Sequence, residues 1–341
     1  MLTTAQPPGP RRWLARFRLV LAWRRDPLAC LLTLARNYGD VVRFAAGGRQ
    51  VTFLNHPHFI EQMLALDGQT ETRLDTPGAT RFPTSHPRKR VSRLVDSRVR
   101  GNDASLRLTD PPCETVAAQA AALCSRWRPG ERVDLYQEMR ELAVAAWSET
   151  ASEAVASALT SVWTMLARYP EAERRVHEEV DGGAAGGSAT ALPYTGLVVA
   201  ETLRVHPPVW AVWRQTVTPR QTVLPVMISG YAIPAETWLM FSPWVVHHDP
   251  RYYPDPWRFD PGRWTAAGAA TCPLPAYLPF GAPDMAPLWA AGVSAIAAIA
   301  RRWRLRPTAV GPAIAEPTGW LRPRPGPWLV IERRGKDRKT Q

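Results

Sequence analysis

Apolar residues recur at three- and four-residue steps in several stretches of this chain, and each stretch predicts a helix with one face turned to a core. The strongest runs from about Leu135 to Ala167, where Trp147, Ala151, Ala154, Ala158, Val162 and Leu166 share a face. Others cover residues 114–127, "HPHFIEQMLAL", an apolar segment at 288–302 and "YTGLVVAETLRVHPP", which Pro207 and Pro208 stop. Pro170 suits the first position of a helix over "PEAERRVHEEV". Near the start, Trp13, Leu14, Phe17, Val20 and Leu21 fall on one helical face with arginines on the other side. This predicts a surface helix, with membrane-surface contact as the sharper reading. "VVRFAAGGRQVTFLN" reads instead as a hairpin turning at Gly47 and Gly48, and residues 222–243 alternate like strands and turns. Residues 249–264 form an aromatic, proline-rich meander, and "DGGAAGGSAT" is a linker without the G-K-[ST] of a phosphate cradle. From Thr70 to Pro112 periodicity collapses into polar, basic loop or disorder. Helices in the middle with short strands towards both ends give an α+β class, mainly α. Three regions follow: 1–69, the basic stretch 70–112, and a helical core over 113–341.

Composition narrows the reading. At 341 residues, 45% hydrophobic and 21% charged, the chain can bury a sizeable core and is neither disordered nor fibrous. No apolar run reaches about 18 residues, so no transmembrane span is expected. The start is no convincing signal peptide, which makes a cytoplasmic location the expectation. The net charge of +12 concentrates between Arg81 and Arg100 and in the tail from Arg333 to Lys339. Neither stretch interleaves aromatics with its charges, so solvated surface is expected and nucleic acid is not. Cys30, Cys113, Cys124 and Cys272 form no C-x-x-C pair, which excludes a zinc knuckle or disulfide framework. His247 and His248 are adjacent and do not converge on one metal; no metal ligand is assigned. G-x-S-x-G, H-E-x-x-H and P-loop strings are absent.

Glu201 and Arg204, three apart on the "YTGLVVAETLRVHPP" helix, share a face within ion-pair reach. Downstream come "PDPWRFDPGRW", with Arg258, Phe259, Arg263 and Trp264, and then "AYLPFGAP", leading into the final helix. In this order the three segments resemble the cytochrome P-450 family, the haem-thiolate monooxygenases, and the resemblance extends over most of the chain. It implies a P-450-like fold and a buried cluster of Glu201, Arg204 and Arg258 that ties the meander to the core. It also implies haem, with Arg214 at a position that often binds a propionate and Phe280 and Gly281 in the haem loop. Oxygen and electrons from a redox partner such as a ferredoxin or reductase would complete the chemistry.

The departures from the family matter as much. The string F-x-x-G-x-R-x-C-x-G, aligned from Phe280, places Pro283, Met285, Pro287 and Trp289 at the glycine, arginine, cysteine and last glycine. Proline cannot ligate iron, a small deletion across the ligand loop accounts for the mismatch better than four point changes, and the lost thiolate is what favours O–O cleavage in this family. The oxygen-activation string falls on Thr150 to Ala154, keeping the acid as Glu153 but carrying Ala154 for the threonine. Glu153 is the candidate catalytic acid. "YQEMRELAVAAW" runs almost directly into the central helix, so several helices that roof the family's substrate pocket are missing. The inner face of the central helix is therefore expected to be exposed. The basic stretch "PRKRVSRLVDSRVRGND" also resembles the translation of a bacterial intergenic repeat. The expectation is a shortened family member, catalytically inactive as it stands. The alternatives are an active monooxygenase with an unrecognised ligand, or a non-catalytic binding or scaffold protein.

Overall fold

A computed structural model describes residues 6–10, 13–46, 49–66, 70–72, 113–147, 149–183, 191–216, 226–234, 237–265, 276–281, 286–308, 314–317, 320–324 and 328–335. The chain begins with helices α1 (Trp13–Arg25) and α2 (Pro27–Tyr38). Asp26 separates them and caps α2 by accepting the Ala29 N–H at 2.9 Å. Strands β1 (Val41–Ala46) and β2 (Arg49–Leu54) form the expected hairpin, and α3 (Pro57–Leu64) follows. Residues Thr70–Thr72 form strand β3, although their pattern reads as loop. This is a polar edge strand, defined by its pairing with β5 (Val212–Thr216) rather than by apolar alternation.

The long periodic stretch is two helices, not one. Helix α5 (Leu135–Ala146) is capped by Asp134, and α6 (Glu149–Arg168) follows. The break falls at Trp147, whose backbone is extended while its N–H still donates to Ala143. Apolar positions continue in phase through Trp147, so periodicity could not reveal the turn. The two helices fold back on each other, with Tyr136 and Arg140 of α5 both reaching Glu153 of α6.

The expected exposed face of α6 is not found. Ala151, Ala154, Ala158 and Val162 are all buried. Helix α5 packs along α6, as do α8 (Pro193–Val205) and the hairpin of β10 (Ile314–Pro317) and β11 (Leu321–Arg324). Ser157 donates its hydroxyl to the Leu321 carbonyl, and the Leu321 N–H donates to Pro208 at 2.9 Å. One buried residue therefore bridges α6 to the segment after α8.

The remaining helices are α4 (Cys113–Ser125), α7 (Pro170–Gly182), α9 (Pro243–His247) and α10 (Ala286–Ala300). The main sheet runs β1-β2-β8-β5-β3, with β8 (Trp238–Phe241) parallel to β2 and the other pairs antiparallel. A three-stranded sheet places β12 (Trp328–Arg333) between β4 (Arg132–Asp134) and β9 (Trp303–Pro307), and β6 (Val226–Ile228) pairs with β7 (Tyr231–Ile233). The larger core joins α4 to α8 with α10, while a smaller one gathers Trp23, Leu31, Phe53, Trp210, Met240 and Trp244. Among the described residues no helix is long and apolar enough to cross a membrane.

Candidate functional site

Glu201 and Arg204 sit on α8 with no exposed surface. A charge so placed survives only if paired and hydrogen-bonded. Arg204 donates Nε and Nη2 to the two Glu201 oxygens at 2.9 and 2.8 Å, a fork-to-fork pair. Its remaining donors go to the carbonyls of His247, Pro256 and Arg258 at 2.8, 2.7 and 3.1 Å. Glu201 accepts further from the Asp260 N–H and the Trp264 indole, both at 2.9 Å.

The third cation of the cluster is Arg263, not Arg258. Arg263 donates Nε to Glu201 at 3.3 Å and Nη1 to the Pro254 carbonyl at 2.9 Å. Arg258 contributes only its backbone carbonyl, and its side chain is exposed. The 3-10 turn Pro261–Trp264 decides this. Asp260 caps that turn by accepting the Gly262 N–H, which rotates Arg263 and Trp264 together towards Glu201.

The same cluster holds the segment before Phe280. His247 accepts the Leu278 N–H on Nε2 at 3.0 Å, so its Nδ1–H donates to the Arg204 carbonyl, also at 3.0 Å. Burial, reinforced by Arg204, pushes the His247 pKa down to about 3, and the ring stays neutral. Tyr277 stacks on that ring at 5.5 Å and donates to Ala200, while Tyr253 donates to Ala276. Phe280 is buried and Gly281 turns at φ +79°, a conformation that favours glycine. A Cβ on Gly281 would stand 2.5 Å from Val212 Cγ2. Sequence reasoning assigned no such bracing role to His247 or Tyr277. The buried pairing partners of α8 were the available signal, but they come from segments more than forty residues away.

Arg214 lies on β5, nearly buried. Its Nη1 donates to the Met63 and Leu64 carbonyls at 3.2 Å, closing the C-terminal end of α3. Glu153 is clamped rather than free. It accepts from Tyr136 Oη at 2.5 Å, Arg140 Nε at 2.6 Å and Arg322 Nη2 at 2.7 Å. Burial alone would raise its pKa, but the bonds from Tyr136 and Arg140 and the charge of Arg322 outweigh it and hold the carboxyl below its ordinary range.

Comparison with known proteins identifies this scaffold. A sequence profile of the cytochrome P-450 family matches residues 135–282, which carry the Glu201 cluster and its meander. The chain is 41% identical over 167 residues to cyclooctat-9-en-7-ol 5-monooxygenase of Streptomyces melanosporofaciens, covering 46% of this chain and 35% of that one. Together these findings support a cytochrome P-450 family member. Cyclooctatin synthase of the same organism is 37% identical over 183 residues, 51% of this chain and 37% of that one. These alignments thus span little more than a third of each P-450 relative. The crystal structure of a cytochrome P-450DA mutant haem domain superposes with a TM-score of 0.69 at 14% identity, covering 97% of this chain and 98% of that one. At that identity the likeness shows the P-450 fold alone.

Haem is the cofactor this family implies, and the described residues do not fit a haem-thiolate group. Cys30 is buried on α2, and burial, with Asp26, pushes its thiol up to about 11. Cys124 is buried on α4, where desolvation pushes it up to about 12. Neither lies in the loop after Phe280, where the family's thiolate ligand sits. Cys113 begins α4, half-buried. Cys272 lies outside the described residues, as do 282–285 of the haem loop. Pro287, aligned with the ligand cysteine, occupies the first turn of α10, where proline costs no helical hydrogen bond. Among the described residues no three histidine, cysteine or acidic side chains gather as a metal site.

Proposed function

We propose that this chain is a cytochrome P-450 family member that has kept the structural cluster of its fold and lost haem-dependent monooxygenation. The supporting observation is the chemistry of the loop after Phe280: Pro287 aligns where the thiolate is needed, and Cys30 and Cys124 are buried on other helices, α2 and α4. Two further features agree with it. Ala154 replaces the proton-relay threonine, and Glu153, the retained acid, is fixed as an ion by Tyr136, Arg140 and Arg322. In this reading Glu153 is a clamp between α5, α6 and β11, and Arg214 is a brace for α3. One relative's name gives cyclooctat-9-en-7-ol as its substrate, and oxidation of a compound of that kind is the activity lost in this reading. A redox partner, ferredoxin or reductase, then has nothing to reduce.

Purified chain mixed with haem, reduced and exposed to carbon monoxide tests the proposal. The expected spectrum lacks the red-shifted Soret band of a thiolate–carbonyl complex. Appearance of that band, and its loss in Cys272→Ser, would instead establish an active-type centre with an unexpected ligand.

A further inference from the structure

Helix α1 presents two chemically different faces. Its inner face carries Trp23, whose ring lies 6.1 Å from Trp210 and 6.3 Å from Trp213, and Leu19 packs against the same core. Its outer face carries Phe17 and Leu21, one turn apart, 58% and 51% exposed. A single exposed apolar side chain is ordinary, but two stacked at i and i+4 form a continuous ridge. Arg18, Arg24 and Arg25 are exposed alongside it. From helical geometry Arg18 and Arg25 lie about 80–100° from Phe17, on the flank, and Arg24 about 20° away, beyond the ridge's end. Residues Trp13–Arg25 contain four arginines and no acid. The next acid along the sequence, Asp26, accepts the Ala29 N–H as the cap of α2.

We propose that α1 docks on an anionic phospholipid surface, lying in its plane with Phe17 and Leu21 at the acyl boundary and the arginines on lipid phosphates. An apolar ridge with arginines along one flank and at its end, on a helix without acids, complements a uniformly acidic surface, which such a bilayer is. An interface with a folded protein would be expected to mix charges of both signs around its rim. The helix is about 20 Å long against a hydrocarbon core of about 30 Å, so it rests on the bilayer and does not cross it. Arginine stems suit this position because they reach sideways along the ridge while keeping the guanidinium in the headgroup layer.

Cosedimentation of the full chain with vesicles tests the proposal, using phosphatidylglycerol mixed with phosphatidylcholine against phosphatidylcholine alone. Binding to the anionic vesicles only, weakened by salt, is expected. The double variant F17S/L21S should lower partitioning at least tenfold with an unchanged circular dichroism spectrum, since both side chains are exposed. Arg18→Gln, Arg24→Gln and Arg25→Gln should each cost about fivefold. Absence of binding to anionic vesicles overturns the proposal, including the case in which the chain binds an acidic protein instead. Binding that survives F17S/L21S also overturns it, because the basic segments elsewhere in the chain would then carry the attraction.

Discussion

The assignment of Arg263 to the buried cluster separates two substitutions that the sequence alone treats as equals. In Arg263→Ala the chain loses a charge-assisted bond to Glu201 at 3.3 Å and one to the Pro254 carbonyl at 2.9 Å. Hydrogen bonds to charged groups contribute about 1.5–3 kcal/mol, and the longer bond belongs at the low end. Glu201 keeps the Arg204 fork, the Trp264 indole and the Asp260 N–H, so no bare charge is left behind. The expected loss is therefore about 2–3 kcal/mol. Arg204→Ala is different in kind, because it strands a fully buried carboxylate and three carbonyls and should cost about 3–5 kcal/mol or more. Arg258→Ala retains the only atom the cluster uses, its carbonyl, and should stay within about 0.5 kcal/mol of the parent. Urea unfolding followed by far-ultraviolet circular dichroism reads all three as midpoint shifts. A loss in Arg258→Ala equal to that in Arg263→Ala would refute the geometry, as would a neutral Arg263→Ala.

Buried histidines set an acid limit: His177 and His247 have pKa values pushed down to about 4 and about 3, chiefly by burial. The unfolded chain therefore binds more protons below about pH 6.5, and stability falls as pH drops towards 4 by about 1.4 kcal/mol per unit for each histidine. Urea midpoints at successive pH values should show this decline, and a flat profile down to pH 5 would contradict it. Gly281→Ala combines a positive φ with a Cβ 2.5 Å from Val212, so it should lower stability by about 2–4 kcal/mol; a thermal melt showing less than about 1 kcal/mol would argue against that packing. Ser157→Ala removes the hydroxyl that holds Leu321 and should cost about 1 kcal/mol while speeding amide exchange at Leu321, whose N–H bonds Pro208.

What could be read in advance followed the reach of local rules. The i, i+3 spacing of Glu201 and Arg204 placed them on one face because helix geometry is short-range. The third cation could not be chosen this way. Arg258 and Arg263 stand five residues apart in an irregular segment, and a single capped turn at Asp260 determines which side chain points inward. Glu153 shows the same limit, since Arg322 reaches it from a hairpin 169 residues further along. The covered face of α6 was missed because its cover comes from α5 folding back at Trp147 and from Leu321. Composition had no way to announce either contact. The departures at the ligand position and at Ala154 rest on residue chemistry in the sequence itself.

The reduced, carbon monoxide-treated spectrum of haem-reconstituted chain tests the central reading most directly. No thiolate-type Soret band is the predicted result, whatever haem binds nonspecifically. A band of that type, titrating to one haem per chain and abolished by replacing a single cysteine, would contradict it.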